Sequence, residues 1–390
     1  MKTKRVSIKI ISLAFMSLLL CCDLSAAEAE ESMDARIETY LNQMTLEEKV
    51  AQMFVVLPDA FLGVDTVTMA GEVTQSAVND IPVGGFTYLA QNLQSESQIK
   101  DMLSDLQEIS IERIGLPMFT CVDEEGGTVA RINGRGILDV PYIGNMSDVG
   151  LTGDAGQARW VGSVTGEYLS ELGFNVNFAP VADVLTNSEN TVVKYRSFGS
   201  DAQLVSEMVL AELEGLKESG IYGTLKHFPG HGATSSDTHE GYAAVMKTLE
   251  ELQKCELLPF QAGIDAGAEF VMTGHISLPW ILEDHTPASL SYVMTTEILR
   301  NQMGYDGIVI TDALNMGAVS QMYSSAEAAI KAICAGADLI LMPADFYSAY
   351  YGVLDAVERQ EISEQRIEES MRRILKVKLE ILDHEKNSEN

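Results

Sequence analysis

Short apolar, β-branched runs alternate with amphipathic helical stretches along most of this chain, beginning near residue 33. Eight such runs are predicted as strands, at residues 50–57, 83–89, 118–123, 176–183, 223–227, 270–275, 307–312 and 339–342. Helical patterns separate most of them, for example at 95–113, 156–172, 202–218 and 295–303. Because apolar strands that alternate with helices are typical of a parallel sheet covered by helices, the pattern predicts an α/β fold.

Polar side chains stand where most of these strands end, and they favour one α/β architecture over another. The residues concerned are Asp123, Asp183, Lys226 with His227, His275 and Asp312. A (β/α)8 TIM barrel gathers its active site at the carboxyl ends of its strands, so we predict this barrel. A doubly wound open sheet is the alternative. We expect one domain over residues 33–383, closed by a last helix at 362–382, and a disordered tail at 384–390.

The first 27 residues have the three-part composition of a secretory signal. Basic residues precede an apolar run at 10–20, and small residues follow at 25–27. We therefore expect cleavage near Ala27 and an exported protein, either secreted or held in the cell envelope. Cys21 and Cys22 end the apolar run, which leaves a lipid anchor as the alternative. The run is shorter than the roughly 20 residues that span a bilayer.

Composition limits the class of partner. The chain has 57 acidic and 26 basic residues, a formal net charge of −31 at pH 7, and 46% hydrophobic residues. The hydrophobic content is typical of a globular domain. An acidic surface repels phosphate backbones and anionic membranes, so we expect no nucleic-acid partner and no membrane contact except through the lipid anchor. No feature of the sequence implies a protein partner.

Three cysteines lie beyond the signal, far apart and in apolar surroundings: Cys121, Cys255 and Cys334. A disulfide framework normally has more cysteines in a shorter exported chain, and no Cys-x-x-Cys pair occurs beyond the signal. We therefore expect buried free thiols and no structural zinc.

The densest group of titratable residues lies between Lys226 and His239, where the chain reads Lys-His-Phe-Pro-Gly-His-Gly-Ala-Thr-Ser-Ser-Asp-Thr-His. Asp237 places a carboxylate two residues from the imidazole of His239, whose ordinary pKa near 6.5 suits proton transfer. Gly230 and Gly232 permit backbone angles that are closed to other residues. The composition is typical of an active-site loop.

A zinc site is the alternative use of these histidines. Its ligands would be His227, His231, Asp237 and His239. Proline and glycine in the same loop are poorly suited to gathering four ligands, and the chain has no helical His-x-x-x-His pair. We therefore predict no metal and no cofactor.

Asp312 follows an apolar strand, where a lone aspartate usually caps a helix. Its neighbours favour catalysis, because several segments together resemble glycoside hydrolase family 3, in its β-N-acetylglucosaminidase (β-hexosaminidase) branch. They are Asp123-Glu124-Glu125-Gly126-Gly127, Arg196-Ser197-Phe198-Gly199, the loop at 226–239, Pro287-Ala288-Ser289-Leu290-Ser291 and Thr311-Asp312-Ala313-Leu314. The resemblance covers nearly the whole chain after the signal and implies a single TIM-barrel catalytic domain at 33–383.

The resemblance also implies a role for individual residues. Asp312 would be the nucleophile of a retaining glycosidase, His239 its general acid and base, and Asp237 the partner that orients His239. Sugar binding would fall to Asp123, Arg131, Arg196, Lys226 and His227. Retaining glycosidases ordinarily use two carboxyl groups about 5–5.5 Å apart, and here an imidazole would replace the second. We expect His231 to shape the loop, and His275 to lie at the rim or in the pocket wall.

These observations predict an exported retaining exo-β-N-acetylglucosaminidase that hydrolyses terminal non-reducing N-acetylglucosamine from a cell-wall or host glycan or a muropeptide. A phosphorylase on the same scaffold is an alternative, because a neutral histidine would not repel phosphate as a carboxylate would. A carbohydrate-binding protein without turnover and a β-glucosidase are the others. Thr128 and the Lys194-Tyr195 pair depart from the family pattern, which leaves binding beyond the first sugar open.

Overall fold

Eight parallel strands close into a barrel in this computed structural model, which describes residues 32–234 and 243–388. These ranges contain eight barrel strands and a separate pair, numbered together in chain order: β1 (Phe54–Val56), β2 (Gly85–Tyr88), β3 (Phe119–Val122), β4 (Val176–Asn177), β5 (Tyr222–Phe228), β6 (Ala243–Ala244), β7 (Phe270–Thr273), β8 (Ile276–Ser277), β9 (Ile308–Thr311) and β10 (Ile340–Leu341). Strands β6 and β8 pair with each other. The other eight have the order β10, β1, β2, β3, β4, β5, β7, β9, and a parallel bridge from Ile310 to Leu339 joins β9 to β10. The predicted TIM barrel is confirmed.

Helices surround the barrel and connect its strands. They are α1 (Met33–Gln43), α2 (Leu46–Gln52), α3 (Pro58–Leu62), α4 (Glu72–Asp80), α5 (Glu96–Ile114), α6 (Met146–Leu151), α7 (Ala155–Leu172), α8 (Ala202–Glu218), α9 (Leu249–Gln253), α10 (Leu258–Asp265), α11 (Pro279–Leu282), α12 (Gly317–Ser320), α13 (Ser325–Ala335), α14 (Phe346–Glu358) and α15 (Glu364–Ser388). Two 3-10 helices cover Ala90–Asn92 and Ala288–Leu290, and a π-helix spans Val293–Gln302. The four helical stretches named from the sequence correspond to α5, α7, α8 and the π-helix.

Local signals set the ends of the long helices. The Ser95 hydroxyl accepts a hydrogen bond from the backbone N–H of Gln98 where α5 begins, and that helix ends at Gly115, whose φ is 70°. Asp154 and Asp201 cap α7 and α8 in the same way as Ser95 caps α5. Because these signals lie within a residue or two of each helix end, the sequence predicts the bounds of these helices closely.

The predicted strand at 50–57 is wrong in its first half. Thr45 and Glu48 form a capping box that begins α2, and the helix occupies the residues before β1. Val50 and Ala51 are fully buried on that helix. Their apolar side chains pack against the core, and an apolar run alone does not distinguish a buried helix from a strand.

Helix α15 closes the amino-terminal end of the barrel with a buried lysine. The Nζ atom of Lys378 donates hydrogen bonds to the carbonyl oxygens of Gly84 and Pro117, at 2.8 and 2.7 Å, and lies 4.7 Å from the ring centroid of Phe119. Burial lowers the pKa of Lys378 to about 7. Since Gly84 and Pro117 lie just before β2 and β3, the lysine ties the last helix to the bottom of the sheet.

Two expectations about the periphery are corrected by the structure. Helix α15 continues to Ser388, into the stretch at 384–390 that we expected to be disordered. The three cysteines beyond the predicted signal are free thiols, but among them only Cys121 is buried, whereas Cys255 is partly buried and Cys334 is exposed on α13. Apolar neighbours in sequence did not predict the exposure of Cys334, because a helix turns consecutive residues toward different sides.

In 32–234 and 243–388, no helix is both long and apolar enough to cross a bilayer. The signal predicted at 1–27 lies outside these ranges and stays a prediction.

Candidate active site

A cleft opens at the carboxyl ends of the barrel strands, with a volume of about 240 Å³. His231 lines it, and so do six residues with a catalytic or sugar-binding role predicted from the sequence: Asp123, Arg131, Arg196, Lys226, His227 and Asp312. They come from β5 and from the segments that follow β3, β4 and β9. The barrel therefore brings together side chains that are up to 189 residues apart in sequence, at the rim where TIM barrels carry their active sites.

Larger cavities occur elsewhere, but they do not gather charged side chains from the carboxyl ends of several barrel strands. One of about 710 Å³ lies between α4 and α14 on the outer wall, and one of about 520 Å³ lies beside α15. The first is lined by α4 and α14, the second mainly by α15 together with the segments that precede β7 and β9, and neither contains any of the six cleft residues. Volume alone therefore does not locate the site.

Asp123 and Lys226 form one side of the cleft. Lys226 Nζ donates a hydrogen bond to Asp123 Oδ1 at 2.8 Å, and Arg131 Nη2 lies 3.5 Å from Asp123 Oδ2. The Nε atom of Arg131 is buried and has no hydrogen-bond partner among the described residues. A partly exposed guanidinium with one unused N–H donor leaves hydrogen-bonding capacity for a ligand.

Glu125 lies behind that wall and binds two of the cleft cations. Its carboxylate accepts hydrogen bonds from Arg196 Nε at 2.7 Å and Arg196 Nη2 at 2.8 Å, and Lys226 Nζ lies 2.6 Å from Glu125 Oε1. Burial by itself would raise the pKa of Glu125, but the positive charges of Arg196 and Lys226 hold it well below the ordinary range. Sequence reasoning missed this residue, although it stands within the Asp-Glu-Glu-Gly-Gly segment.

Glu124 has a different task, which is to hold the backbone of the loop that carries Arg131. Its carboxylate accepts hydrogen bonds from the backbone N–H groups of Arg131, Ile132 and Asn133, at 2.6, 3.1 and 2.7 Å. The Tyr168 hydroxyl of α7 donates a fourth bond at 2.9 Å. Of the three consecutive acidic residues, Asp123 therefore faces the cleft, Glu124 binds the loop backbone, and Glu125 binds the two cleft cations.

Asp183 organises the first part of the Lys-His-Phe-Pro-Gly-His-Gly segment from beneath. This fully buried carboxylate lies 2.8 Å from His227 Nδ1 and accepts hydrogen bonds from the backbone N–H groups of His227 and His231, at 3.2 and 2.6 Å. Burial would raise the pKa of Asp183, but the adjacent histidines lower it below its ordinary value. The strand-end pattern drew attention to Asp183 without assigning it this role.

The loop glycines serve close packing as well as backbone freedom. Gly230 has a φ of 126°, which side-chain-bearing residues rarely adopt. A Cβ atom on Gly232 would lie 1.9 Å from the carbonyl oxygen of Val184. His231 is buried between them, and its Nδ1 lies 2.7 Å from the hydroxyl of Thr234. The described part of the loop is thus tightly folded, with His231 among its internal contacts.

Asp312 directly follows β9 and lines the same cleft. Its backbone N–H donates a hydrogen bond to the carbonyl of Thr273, and its Oδ1 accepts one from the N–H of Ala313 at 2.8 Å. It does not cap a helix, since α12 begins only at Gly317. Burial would raise the pKa of Asp312, but His275 and then His227 lower it below its ordinary value. Asp312 is therefore held as a carboxylate that faces the cleft.

His275 supports Asp312 from behind and is absent from the cleft lining. This buried ring places Nε2 at 2.9 Å from the carbonyl oxygen of Ala313 and Nδ1 at 2.7 Å from the Ser289 hydroxyl. A carbonyl oxygen can only accept a hydrogen bond, so Nε2 carries a proton. Of the two places considered for His275, the structure has it packed at the rim, outside the pocket wall.

Asp237 and His239, the proposed acid/base pair, lie outside the described residues. The structure describes the chain on both sides of them. Asn190 Nδ2 donates a hydrogen bond to the carbonyl oxygen of Thr234 at 3.0 Å, and β6 begins at Ala243. Asp237 and His239 are also two of the four ligands of the alternative zinc site, so that site is not described in full. Within 32–234 and 243–388, no group of three or more histidine, cysteine or acidic side chains is arranged to hold a metal.

Comparison with known proteins agrees with the barrel fold. The family model described as the glycosyl hydrolase family 3 N terminal domain matches residues 45–377. The β-hexosaminidase A of Pseudoalteromonas piscicida is 36% identical over 324 residues, which cover 77% of this chain and 54% of that protein. This chain thus spans about half the length of that relative.

Two solved structures are similar in fold as well as in sequence. A glycoside hydrolase family 3 β-N-acetylglucosaminidase from Paenibacillus sp. is 36% identical with a TM-score of 0.80, over 86% of this chain and 62% of that chain. A family 3 glycosyl hydrolase from Mycobacterium smegmatis is 31% identical with a TM-score of 0.76, over 87% of this chain and 98% of that one. With its family model matched over most of its length, the chain belongs to glycosyl hydrolase family 3.

Proposed function

We propose that this protein is an exported, retaining exo-β-N-acetylglucosaminidase that hydrolyses terminal non-reducing N-acetylglucosamine residues. The observation that carries the proposal is the position of Asp312, a carboxylate that lines one small cleft together with the paired Asp123 and Lys226. The names of the similar proteins from Pseudoalteromonas and Paenibacillus support the sugar that we propose.

The proposed reaction has two steps at the anomeric carbon. In the first, a carboxylate oxygen of Asp312 forms a bond to that carbon while the glycosidic C–O bond breaks, and the leaving oxygen takes a proton from His239. In the second, His239 removes a proton from water, the water oxygen bonds to the anomeric carbon, and the bond to Asp312 breaks. Two inversions give net retention. The lowered pKa of Asp312 supports its role as the nucleophile.

Sugar recognition is proposed for the charged wall. Asp123 can accept hydrogen bonds from hydroxyl groups, while Arg131, Arg196 and Lys226 donate to hydroxyl and acetamido oxygens. His227 presents its Nε2 edge beside Arg196, at 3.3 Å from Nη2. Hydrogen bonds to charged groups are worth about 1.5–3 kcal/mol each, so the wall can hold one sugar firmly.

The size of the cleft supports an exo mode of cleavage. Its volume of about 240 Å³ is below the roughly 300–1,000 Å³ typical of drug-sized ligand pockets. We propose that it takes a single terminal sugar, with the rest of the glycan outside. The natural substrate would be a cell-wall or host glycan or a muropeptide, and the protein would meet it outside the cytoplasm, either secreted or lipid-anchored.

Product analysis tests the proposal. The purified protein is incubated with an aryl β-N-acetylglucosaminide with and without inorganic phosphate, and the sugar products are separated. Free N-acetylglucosamine at equal rates in both conditions supports the hydrolase. Sugar 1-phosphate formed only with phosphate would replace it with the phosphorylase. No turnover, together with measurable affinity for the sugar, would replace it with the binding protein.

A control and a localisation experiment complete the test. The Asp312→Asn variant should release no product, which excludes a contaminating glycosidase. Fractionation of cells that express the full chain should place the protein outside the cytoplasm, and an intact mass lacking the first 27 residues would support cleavage near Ala27. Retention in the cytoplasm would contradict export.

A further inference from the structure

Two cations of the cleft are held close together although their charges repel. Lys226 Nζ and Arg196 Nη2 both contact Glu125 Oε1, at 2.6 and 2.8 Å. The side chains of Lys226 and Glu125 are 2% and 1% exposed, so water screens the repulsion very little. A buried pair of like charges needs a buried counter-charge to persist.

Glu125 supplies that counter-charge without reaching the ligand. It is not among the residues that line the cleft, whereas Lys226 and Arg196 both are. It follows β3, Arg196 lies in the segment after β4, and Lys226 lies on β5. One carboxylate thus joins three neighbouring barrel segments at the point where each enters the cleft.

The contacts of Glu125 also determine which donors remain for a ligand. Glu125 and Asp123 take up two of the three N–H groups of Lys226, so the direction of the third is set by tetrahedral geometry. Arg196 uses Nε and Nη2 on Glu125 in a two-point contact, which fixes the plane of its guanidinium. The carboxylate therefore positions the hydrogen-bonding groups that face the cleft.

We propose that Glu125 is a positioning residue for the glycosidase reaction, and that it acts on the sugar only through Arg196 and Lys226. This inference rests on the proposed function, because it assumes that the ligand of the cleft is the sugar. Gln at this position has the same shape, but its amide N–H2 cannot accept a hydrogen bond. At least one of the two cations would then face a donor, and both would lose the negative charge of Glu125.

The test compares three variants of the full chain. Glu125→Gln removes the charge, Glu125→Asp retains it on a shorter side chain, and Asp338→Asn is the control. Asp338 is also fully buried and paired with arginines, but it precedes β10 at the opposite end of the barrel. The Asp338→Asn substitution thus disrupts a buried ion pair that has no contact with the cleft. kcat and KM on the aryl glycoside are measured together with thermal unfolding.

A displacement of about 1 Å in a substrate-binding group can lower a rate by roughly 100-fold. We therefore expect kcat/KM of Glu125→Gln to fall by roughly 100-fold, with partial recovery in Glu125→Asp and less than a threefold change in Asp338→Asn. Folded Glu125→Gln protein with kcat/KM within threefold of the wild type would overturn the proposal. So would a failure of both Glu125 variants to fold, because the role would then be structural.

A second readout does not depend on turnover. In a crystal structure of Glu125→Gln, or of Glu125→Asp if the first variant does not fold, we expect the Arg196 guanidinium or the Lys226 ammonium to have moved. Unchanged positions of both would overturn the positioning role even if the wild-type protein cleaved no substrate. The same structure would still show the cations displaced if the proposed sugar were wrong, so the two proposals can fail separately.

Discussion

The Nδ1 atom of His227 lies 2.8 Å from Oδ2 of Asp183, a carboxylate with no exposed surface. Because a carboxylate accepts hydrogen bonds, Nδ1 carries a proton, and Nε2 is left toward the cleft beside Arg196. The same carboxylate fixes the backbone at His227 and His231. One buried side chain thus sets both the tautomer of a cleft histidine and the start of the loop.

Asp183→Asn should disturb that histidine more than its isosteric shape suggests. The amide can still accept the two backbone hydrogen bonds through its oxygen, but its N–H2 then faces His227 Nδ1 and favours the other tautomer. We expect kcat/KM to fall by roughly 10- to 100-fold and the free energy of unfolding by about 1–3 kcal/mol. Nitrogen chemical shifts of His227 report the tautomer. An unchanged tautomer would contradict this account.

Asp312→Asn should remove the chemical step and leave the fold intact. The amide cannot form the covalent bond to the anomeric carbon, so we expect kcat to fall by at least roughly 1,000-fold with little change in unfolding temperature. Asp355→Asn on α14 is the matched control, because its side chain is 68% exposed. A variant that keeps more than a tenth of wild-type kcat would exclude Asp312 as the nucleophile.

Asp338→Asn should destabilise the end of the barrel opposite the cleft. Asp338 is fully buried among the three guanidinium groups of Arg300, Arg366 and Arg373. Removing one partner of a buried ion pair typically costs about 3–5 kcal/mol, which urea unfolding at pH 7 would measure.

The pH dependence of that loss has a defined sign. Burial would raise the pKa of Asp338, but the three arginines lower it below its ordinary value. The stabilisation is therefore complete above the unfolded pKa, near 4, and is lost as the pH falls through the lower folded value. Wild type and Asp338→Asn should approach each other in strongly acidic solution. A constant difference in unfolding free energy down to the acid limit would refute the ion-pair explanation.

In contrast to Asp338→Asn, the substitution Glu212→Gln should stabilise the protein. Glu212 on α8 is 2% exposed, and its Oε2 has no hydrogen-bond partner among the described residues. Burial and then the charge of Glu125 raise the pKa of Glu212 to about 8. Between the unfolded pKa, near 4, and about 8, the folded state must keep a proton that the unfolded state releases, so stability falls as the pH rises.

Glutamine removes this penalty, because it carries no proton to lose. We expect the gain in unfolding free energy of Glu212→Gln over the wild type to be roughly 2–4 kcal/mol larger at pH 8 than at pH 5. Urea titrations at the two pH values measure it. Parallel behaviour of the two proteins would mean that Glu212 is ionised throughout this range.

The sequence by itself determined most of the strands, the barrel class and several of the charged residues that face the cleft. Asp123, Lys226 and Asp312 were recognisable because a polar residue that ends an apolar strand is a local signal, and local signals do not depend on distant contacts. Helix ends were equally local, as at Ser95 and Gly115.

Only the tertiary structure decided which polar and charged groups, distant in sequence, contact each other. Glu125 lies 71 residues from Arg196, Asp183 lies 44 residues from His227, and Lys378 lies 294 residues from Gly84. The order and register of the strands around the closed barrel set these partners, and no local pattern contains that information. A buried glutamate and a surface glutamate look alike in sequence, and they differ only in what the fold packs around them.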